Sequence, residues 1–301
     1  MSTSVLYSLT VLIWGSSWLA IHFQIGVVPP EIAIVYRFVL ASTLLVIWCL
    51  ARGISLRIAS RHHPYLALLG LSLFSLNYLL FYYAAYDLAT GLLAVIFSTM
   101  TVMNIFNSAL FLKHRIQKKT IVAVLFGLTG IGLVFWSEIA TSRAQAAGAI
   151  GMSLIATYLA SIGNIVSARN QKHGISVASA NAIGMAYGAL FIFVFSILSG
   201  TPFVIDTDIR FIGSLLFLAL FASAIGFGCY LTLVGRIGPE NAAYATVLFP
   251  IVALALSTWF ESYAWQDRTL VGVSLVLIGN VVVLARPSTV ARLKGLVSKY
   301  P

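Results

Sequence analysis

Apolar residues in this chain come in ten runs of membrane-crossing length, roughly 4–24, 31–51, 65–86, 90–112, 119–137, 147–168, 175–198, 211–234, 241–260 and 267–285. About 20 apolar residues cross the hydrocarbon core of a bilayer as one α-helix. In lipid every backbone N–H and C=O must be paired internally, so a helix is the form such a run takes. The strands of a membrane barrel would instead alternate over about 10 residues, and these runs do not. The chain is 60% hydrophobic and 9% charged over 301 residues, far from the usage of a soluble domain. The connections are too short to hold one. The first run lacks a basic leading region and a small-residue cleavage site, so it is expected to be a retained helix and not a signal peptide.

The formal net charge of +10 could suggest a nucleic-acid partner, but its distribution points to the membrane. With the N-terminus inside, one side holds Arg52, Arg57, Arg61, Lys113, Arg115, Lys118, Lys119, Arg169, Lys172, Arg236, Arg286, Arg292, Lys294 and Lys299. The other side holds Arg143, Arg210 and Arg268. Basic residues concentrate on the cytoplasmic side of membrane proteins, so both termini are expected there, which requires an even number of spans. The basic tail 286–301 is expected to lie on anionic lipid. Cys49 and Cys229 fall within spans and read as free buried thiols packing as small apolar residues.

Residues 108–135 and 257–284 are one segment written twice. At an offset of 149, with no gap, Ser108/Ser257, Phe111/Phe260, Gln117/Gln266, Thr120/Thr269, Val122/Val271, Val124/Val273, Leu128/Leu277, Gly130/Gly279 and Val134/Val283 are identical. The offset is close to half the chain. The expected organisation is therefore a first five-helix repeat over 1–137, a small polar junction at 138–147, a second repeat over 148–285 and the tail. Five is odd, so the second repeat enters the membrane from the opposite side and the two are inverted. A duplicated membrane protein of this kind is usually a transporter. Gly184-xxx-Gly188, Ala123-xxx-Gly127 and Ala222-xxx-Gly226 have the spacing of close helix contacts, expected within the chain.

Enzymatic chemistry finds little footing. His62, His63, His114 and His173 fall in loops and only His22 approaches a span end. Glu31, Asp87, Glu138, Asp206, Asp208, Glu240, Glu261 and Asp267 lie at span ends or in loops. No nucleophile–base pair or metal cluster has the needed spacing, and no cofactor is expected. No carboxylate sits at mid-membrane, where a proton-coupled exchanger usually keeps one. Neutral polar and aromatic groups do lie deep in the spans. Trp14, Ser16 and Ser17 are on the first; Asn77, Tyr78 and Tyr82 on the third; Ser98, Thr101, Asn104 and Ser108 form one stripe on the fourth. Gly163 and Asn164 are on the sixth, Tyr230 on the eighth, and Tyr244, Thr246 and Pro250 on the ninth. One buried Ser or Asn is usually interhelical glue. A set spread over six spans reads as a cavity for a small amphipathic solute. Pro250 lacks an N–H and is expected to kink its helix or free a carbonyl near the midplane; its partner at the repeat offset is Thr101. Arg37, about 10 Å into the second span, is expected to snorkel outward or serve structurally, with a polar cavity as the alternative.

Ten spans in two inverted halves, Ile13-Trp-Gly-Ser-Ser17, Tyr36-Arg-Phe-Val-Leu-Ala41, Gly91-Leu-Leu-Ala-Val-Ile-Phe97 and the glycines 127, 130 and 132 together resemble the drug/metabolite transporter superfamily, EamA-type branch. Within that branch the chain is similar to YddG-like bacterial amino-acid exporters. The resemblance covers essentially the whole chain and implies a ten-helix basket, all-α, in the bacterial inner membrane. It also implies a cavity lined by spans one, three, four, six, eight and nine. Many members carry proline in span four where this chain has Thr101. The implied function is alternating-access export of amino acids or similar small metabolites. The substrate-binding candidates are Trp14, Ser17, Asn77, Tyr78, Tyr82, Ser98, Thr101, Gly163, Asn164, Tyr230, Tyr244 and Pro250. The expected partners are a small-molecule substrate and lipid, with no nucleic acid and a monomer as the expected state. The alternatives are another solute in the same fold (drug, sugar or nucleotide-derived metabolite) or a receptor or channel.

Overall fold

The computed structural model describes residues 1–113, 118–136, 143–243 and 245–284, and the described residues form helices and no strand. In chain order these are α1 (Thr3–His22), α2 (Pro30–Ala51), α3 (His63–Leu71), α4 (Asn77–Ala84), α5 (Thr90–Ser98), α6 (Met100–Leu112), α7 (Lys118–Val134), α8 (Arg143–Lys172), α9 (Val177–Leu198), α10 (Ile209–Phe217), α11 (Phe227–Ala242), α12 (Ala245–Phe260) and α13 (Asp267–Leu284). Local chemistry sets several starts. Ser2, Ser176 and Asp208 each accept a backbone N–H at the head of α1, α9 and α10, and α2 opens on Pro30, where a missing N–H is harmless.

Seven described helical stretches are long and apolar enough to cross a membrane: Thr3–His22, Pro30–Ala51, Ser60–Ala84, Thr90–Phe111, Gln145–Lys172, Val177–Leu198 and Ile209–Pro239. Val124–Val134 and Ala245–Phe260 are shorter apolar helices. The expected run at 241–260 is cut to 16 residues because the chain is still completing α11 at Ala242 and turns at Ala243. Just before that, Gly238 adopts φ 82°, a left-handed value that glycine reaches without a Cβ clash, and Pro239 follows. The break between two packed rods is made there.

Two long stretches are not uniform α-helix. Between α3 and α4 the chain takes a π-helical course over Ser72–Leu76, and between α10 and α11 it does so over Leu218–Gly226. Shifted by the repeat offset, 72–76 falls inside the second π segment. Such segments mark functional places in helices and displace a carbonyl from the regular ladder. α5 and α6 are separated at Thr99. The Ser98 and Thr99 hydroxyls donate to Val95 O and Ile96 O, each at 2.7 Å, a side-chain back-bond that competes with the helix ladder and bends it. Pro250, expected to kink its helix or free a carbonyl, sits inside α12 without interrupting it. The break in this pair of elements falls at a serine–threonine step, not at the proline.

At the periphery, α7 pairs with α13 and α2 with α9. A Cβ on Gly130 would lie 2.6 Å from Gly272 O, and one on Gly272 would lie 2.6 Å from Gly130 O, so the α7–α13 contact is backbone against backbone. Gly188 meets Phe74 O in the same way. Gly226 lies under the Trp14 indole. Gly127 meets nothing within 4 Å among the described residues, so at that glycine the small-residue spacing makes no close contact there. The exposed flanks of α7, α9 and α13 carry Leu125, Leu128, Phe193, Ile197, Leu270 and Ile278, a surface that suits lipid and not water. Inside this frame α1 packs on α11, α12 and the second π segment, while α8 packs on α4, α5, α6 and α11.

Candidate functional site

One face of α1 presents Trp14, Ser17, Trp18 and Ile21 to a cavity. Leu73 from the first π segment, Asn77, Tyr78 and Phe81 from α4, Phe97 from α5, Phe227 from α11 and Phe249 from α12 complete its wall. The steps 14, 17, 18, 21 and 77, 78, 81 are those of a single helical face. The cavity measures about 40 Å³, and a water needs about 10–15 Å³ on that measure. It is a narrow space that a solute of amino-acid size would have to enlarge by moving side chains.

Its wall is built from aromatic edges. Trp18 meets Phe81 with ring centroids 5.2 Å apart and planes at 82°, and Phe97 at 5.9 Å and 64°. Trp14 meets Phe227 at 4.9 Å and Tyr230 at 4.8 Å. Phe97 lies 5.7 Å from Phe249. Edge-to-face arrangements of this kind hold rings in place beyond their burial. The Trp14 Nε1–H donates to Ala222 O at 3.1 Å, a carbonyl of the second π segment. The irregular helix thus supplies the acceptor that a buried indole needs.

The candidate residues separate into distinct places. Trp14, Ser17, Asn77 and Tyr78 line the cavity. Ser17 Oγ donates to Trp14 O at 2.9 Å and Asn77 Nδ2 to Ala156 O at 2.8 Å, the latter fixing α4 to α8. The Tyr78 hydroxyl accepts from Arg37 Nη2 at 3.2 Å. Tyr82 lies off the cavity wall, donating to Gln24 Oε1 at 3.3 Å, while Gln24 donates on to Ser214 Oγ at 3.1 Å. The stripe on α5 and α6 is fully buried but faces neighbouring helices. Ser98 accepts from Asn280, Thr101 meets Thr246 at 3.3 Å, and Asn104 donates to Pro239 O. Gly163 is pressed against Leu73. Asn164 donates to Met100 Sδ, Asn104 Oδ1 and the Tyr230 hydroxyl, a polar cluster beside the aromatic wall; the Tyr230 ring connects the two. Pro250 is buried next to the wall residue Phe249. Tyr244 lies outside the described residues.

Trp18, Phe81, Phe97, Phe227 and Phe249 were not among the candidates. Trp18 carried a signal, standing one helical turn from Trp14. The phenylalanines did not, because a Phe facing a cavity and a Phe facing lipid, such as Phe106 or Phe193, look alike in an apolar run.

Acidic groups gather at one end of the site. Glu261, whose side chain is 6% exposed, accepts the Thr90 N–H at 2.8 Å, the Thr90 hydroxyl, and Ser257 Oγ–H at 2.8 Å. Ser257 Oγ in turn accepts the Gly91 N–H at 2.8 Å. The carboxylate that follows α12 therefore caps the N-terminus of α5, where its charge is favoured. His22 Nδ1 stands 4.0 Å from Glu261. At the same end Glu31 accepts the Tyr83 hydroxyl, and burial, with Glu31 adding, pushes the Tyr86 phenol above its ordinary range.

The EamA-like transporter family pattern matches residues 1–136 and again 147–285. Protein PagO of Salmonella typhimurium (strain LT2) is 24% identical over 92% of this chain and 91% of its own length. A protein of Escherichia coli (strain K12) named "Probable amino-acid metabolite efflux pump" is 24% identical over 91% of this chain and 92% of its own. A crystal structure with 16% identity superposes with a TM-score of 0.70 over 95% of this chain and 99% of that one, a likeness of fold.

Proposed function

The chain belongs to the EamA-like transporter family, a membrane transporter in a lipid environment with a small-molecule substrate and not an enzyme, and on that premise we propose that it exports amino acids or similar small metabolites by alternating access. The observation that carries this reading is the cavity wall: six aromatic rings and Trp14 indole edges around Ser17, Asn77 and the Tyr78 hydroxyl. Aromatic faces with a few neutral hydrogen-bonding groups suit an amphipathic organic solute and not a bare ion. The printed name of the Escherichia coli relative supports the amino-acid class.

The proposed architecture is ten spans in two inverted five-helix repeats, both termini in the cytoplasm of a bacterial cell and the Glu261 end outward. Four observations support it. The family pattern matches twice. The π segments correspond at the repeat offset. α7 with α13 and α2 with α9 pair each element with its own repeat partner. The contacts of α1 with α11 and α12 are echoed by those of α8 with α4, α5 and α6. In this scheme the wall residues of α1, α4, α5, α11 and α12 meet where the halves meet, so rocking one half against the other opens the cavity to one side at a time.

The test is flux of a labelled amino-acid panel in proteoliposomes, with and without an imposed pH gradient. Movement of neutral or aromatic amino acids down their own gradient, without a pH gradient, is the expected result. No movement of any amino acid under either condition would remove the substrate assignment.

A further inference from the structure

Arg37 does not snorkel. It is 1% exposed, about seven residues along α2. Its Nε donates to Ser223 Oγ of the second π segment at 2.9 Å, and its Nη2 to the Tyr78 hydroxyl at 3.2 Å. The guanidinium carbon lies 4.3 Å from the Tyr78 ring centroid and 5.3 Å from that of Phe38. Nη1 is buried and makes no hydrogen bond of ordinary geometry among the described residues, although the Tyr82 hydroxyl also stands close to the guanidinium. The acid–base pair found within 4.0 Å among those residues is His22 with Glu261; no carboxylate meets Arg37.

An arginine held inside a membrane protein is costly unless it is compensated. Neutral hydroxyls and two ring faces are partial compensation. A guanidinium has a planar fork of donors that fits a carboxylate, and here one arm of the fork is unused. Tyr78 belongs both to the cavity wall and to the contact with Arg37, so one side chain separates the charge from the cavity.

We propose that Arg37 is an anion subsite of the cavity. A solute carboxylate displaces the Tyr78 hydroxyl and takes Nη1 and Nη2, while the apolar remainder of the solute lies against Trp14, Trp18 and Phe97. Ser223 stays on Nε and keeps the fork aimed. This rests on the transport reading above and narrows it: the substrate class is small molecules bearing a carboxylate, and the same molecules amidated or decarboxylated are discriminated against.

The experiment is binding to the purified full chain, read by thermal shift and equilibrium titration, with tryptophan, tryptophanamide and tryptamine, and in parallel with benzoate against benzamide. Wild type is expected to hold tryptophan and benzoate about tenfold or more tighter than the compounds lacking the carboxylate. Arg37→Gln should bring each pair to within about twofold, chiefly by weakening the acid, and Arg37→Lys should keep part of the preference. Tyr78→Phe removes the competing hydroxyl and should raise the preference. Equal affinity for acid and amide in wild type overturns the proposal, as does an unchanged preference in Arg37→Gln. If Arg37→Gln does not fold, the wild-type ratios and Tyr78→Phe decide, and a preference that Tyr78→Phe leaves unchanged or lowers counts against it. The benzoate pair separates the two readings. Benzoate preference with no amino-acid flux keeps the subsite and removes the amino-acid assignment; amino-acid flux without any carboxylate preference does the reverse.

Discussion

Ser108 and Ser257 are the same residue of the duplicated segment, 149 positions apart. Both are buried, yet their hydroxyls have different lives. Ser257 accepts the Gly91 N–H and donates to Glu261, which also holds Thr90. The Ser108 hydroxyl has no hydrogen-bond partner among the described residues. The position matching Glu261 is Leu112, so the carboxylate that organises one end has no counterpart at the other. There, among the described residues, the elements meet through neutral bonds, Asn104 to Pro239 O at 3.3 Å, Thr101 to Thr246 at 3.3 Å and the Tyr7 hydroxyl to Asn241 O, and through Arg236, whose exposed Nη1 donates to Met1 O at 2.9 Å. Charged hydrogen bonds are roughly twice as strong as neutral ones. The duplicated segment thus packs alike in both halves, but beside Ser257 it carries a buried carboxylate latch that has no match beside Ser108, where Leu112 stands. In the proposed orientation the latched end faces out, and the chain is then expected to open more readily toward the cytoplasm.

The comparison breaks most severely at its shared part. Gly130→Leu would drive a side chain into the Gly272 carbonyl, and overpacking a backbone contact should cost more than about 3 kcal/mol. The expected outcome is loss of monodisperse protein on size exclusion. A well-behaved variant with an unchanged melting temperature would show that α7 and α13 are not a common scaffold. Next comes the latch. Glu261→Ala leaves the Thr90 N–H, the Thr90 hydroxyl and Ser257 without their acceptor, and should destabilise the latched state by about 1.5–3 kcal/mol. Spin labels placed on α1 and α12 near His22 and Glu261 should report a wider distance distribution; an unchanged distribution means the carboxylate is not what closes that end. The smallest pair of effects is the sharpest. Ser257→Ala orphans a buried Gly91 N–H and should lower stability by about 1–2 kcal/mol, whereas Ser108→Ala removes an unpartnered hydroxyl and should be neutral or stabilising. Equal losses in thermal melts of the two variants would erase the asymmetry.

Much of the frame was legible in the sequence because apolar length and charge placement are summed over many residues. The runs that became α1, α2 and α9 needed only a residue count, and the glycine at 130 did sit at a close contact. What escaped depends on single directions. Gly127 had the right spacing and faces open space, because spacing names a helix face without saying what lies opposite. Pro250 leaves its helix continuous, and the interruption in the matching pair of elements falls at Thr99, beside two hydroxyl back-bonds. The π segments carry no compositional mark, yet they place Ala222 O under Trp14 and Ser223 against Arg37. Half-legible residues are the instructive ones. Ser98, Thr101 and Asn104 were rightly read as one buried stripe, but hydrogen bonding between helices and lining a cavity call for the same residue types. For Arg37 the sequence leaves snorkelling, a structural role and a polar cavity open, and burial removes the first, because α4 and the second π segment close over it.

The most direct measurement is side-specific reaction of a thiol placed in the cavity wall. Ser17→Cys, in a chain with Cys49→Ala and Cys229→Ala, changes the wall least. Its reaction with a membrane-impermeant thiol reagent would be followed separately from each face of oriented vesicles, with and without a transported amino acid. The account predicts faster modification from the end bearing Ser108 than from the end bearing Glu261, with the amino acid protecting the thiol. Modification at equal rates from both faces, or rates that the amino acid does not change, would contradict it.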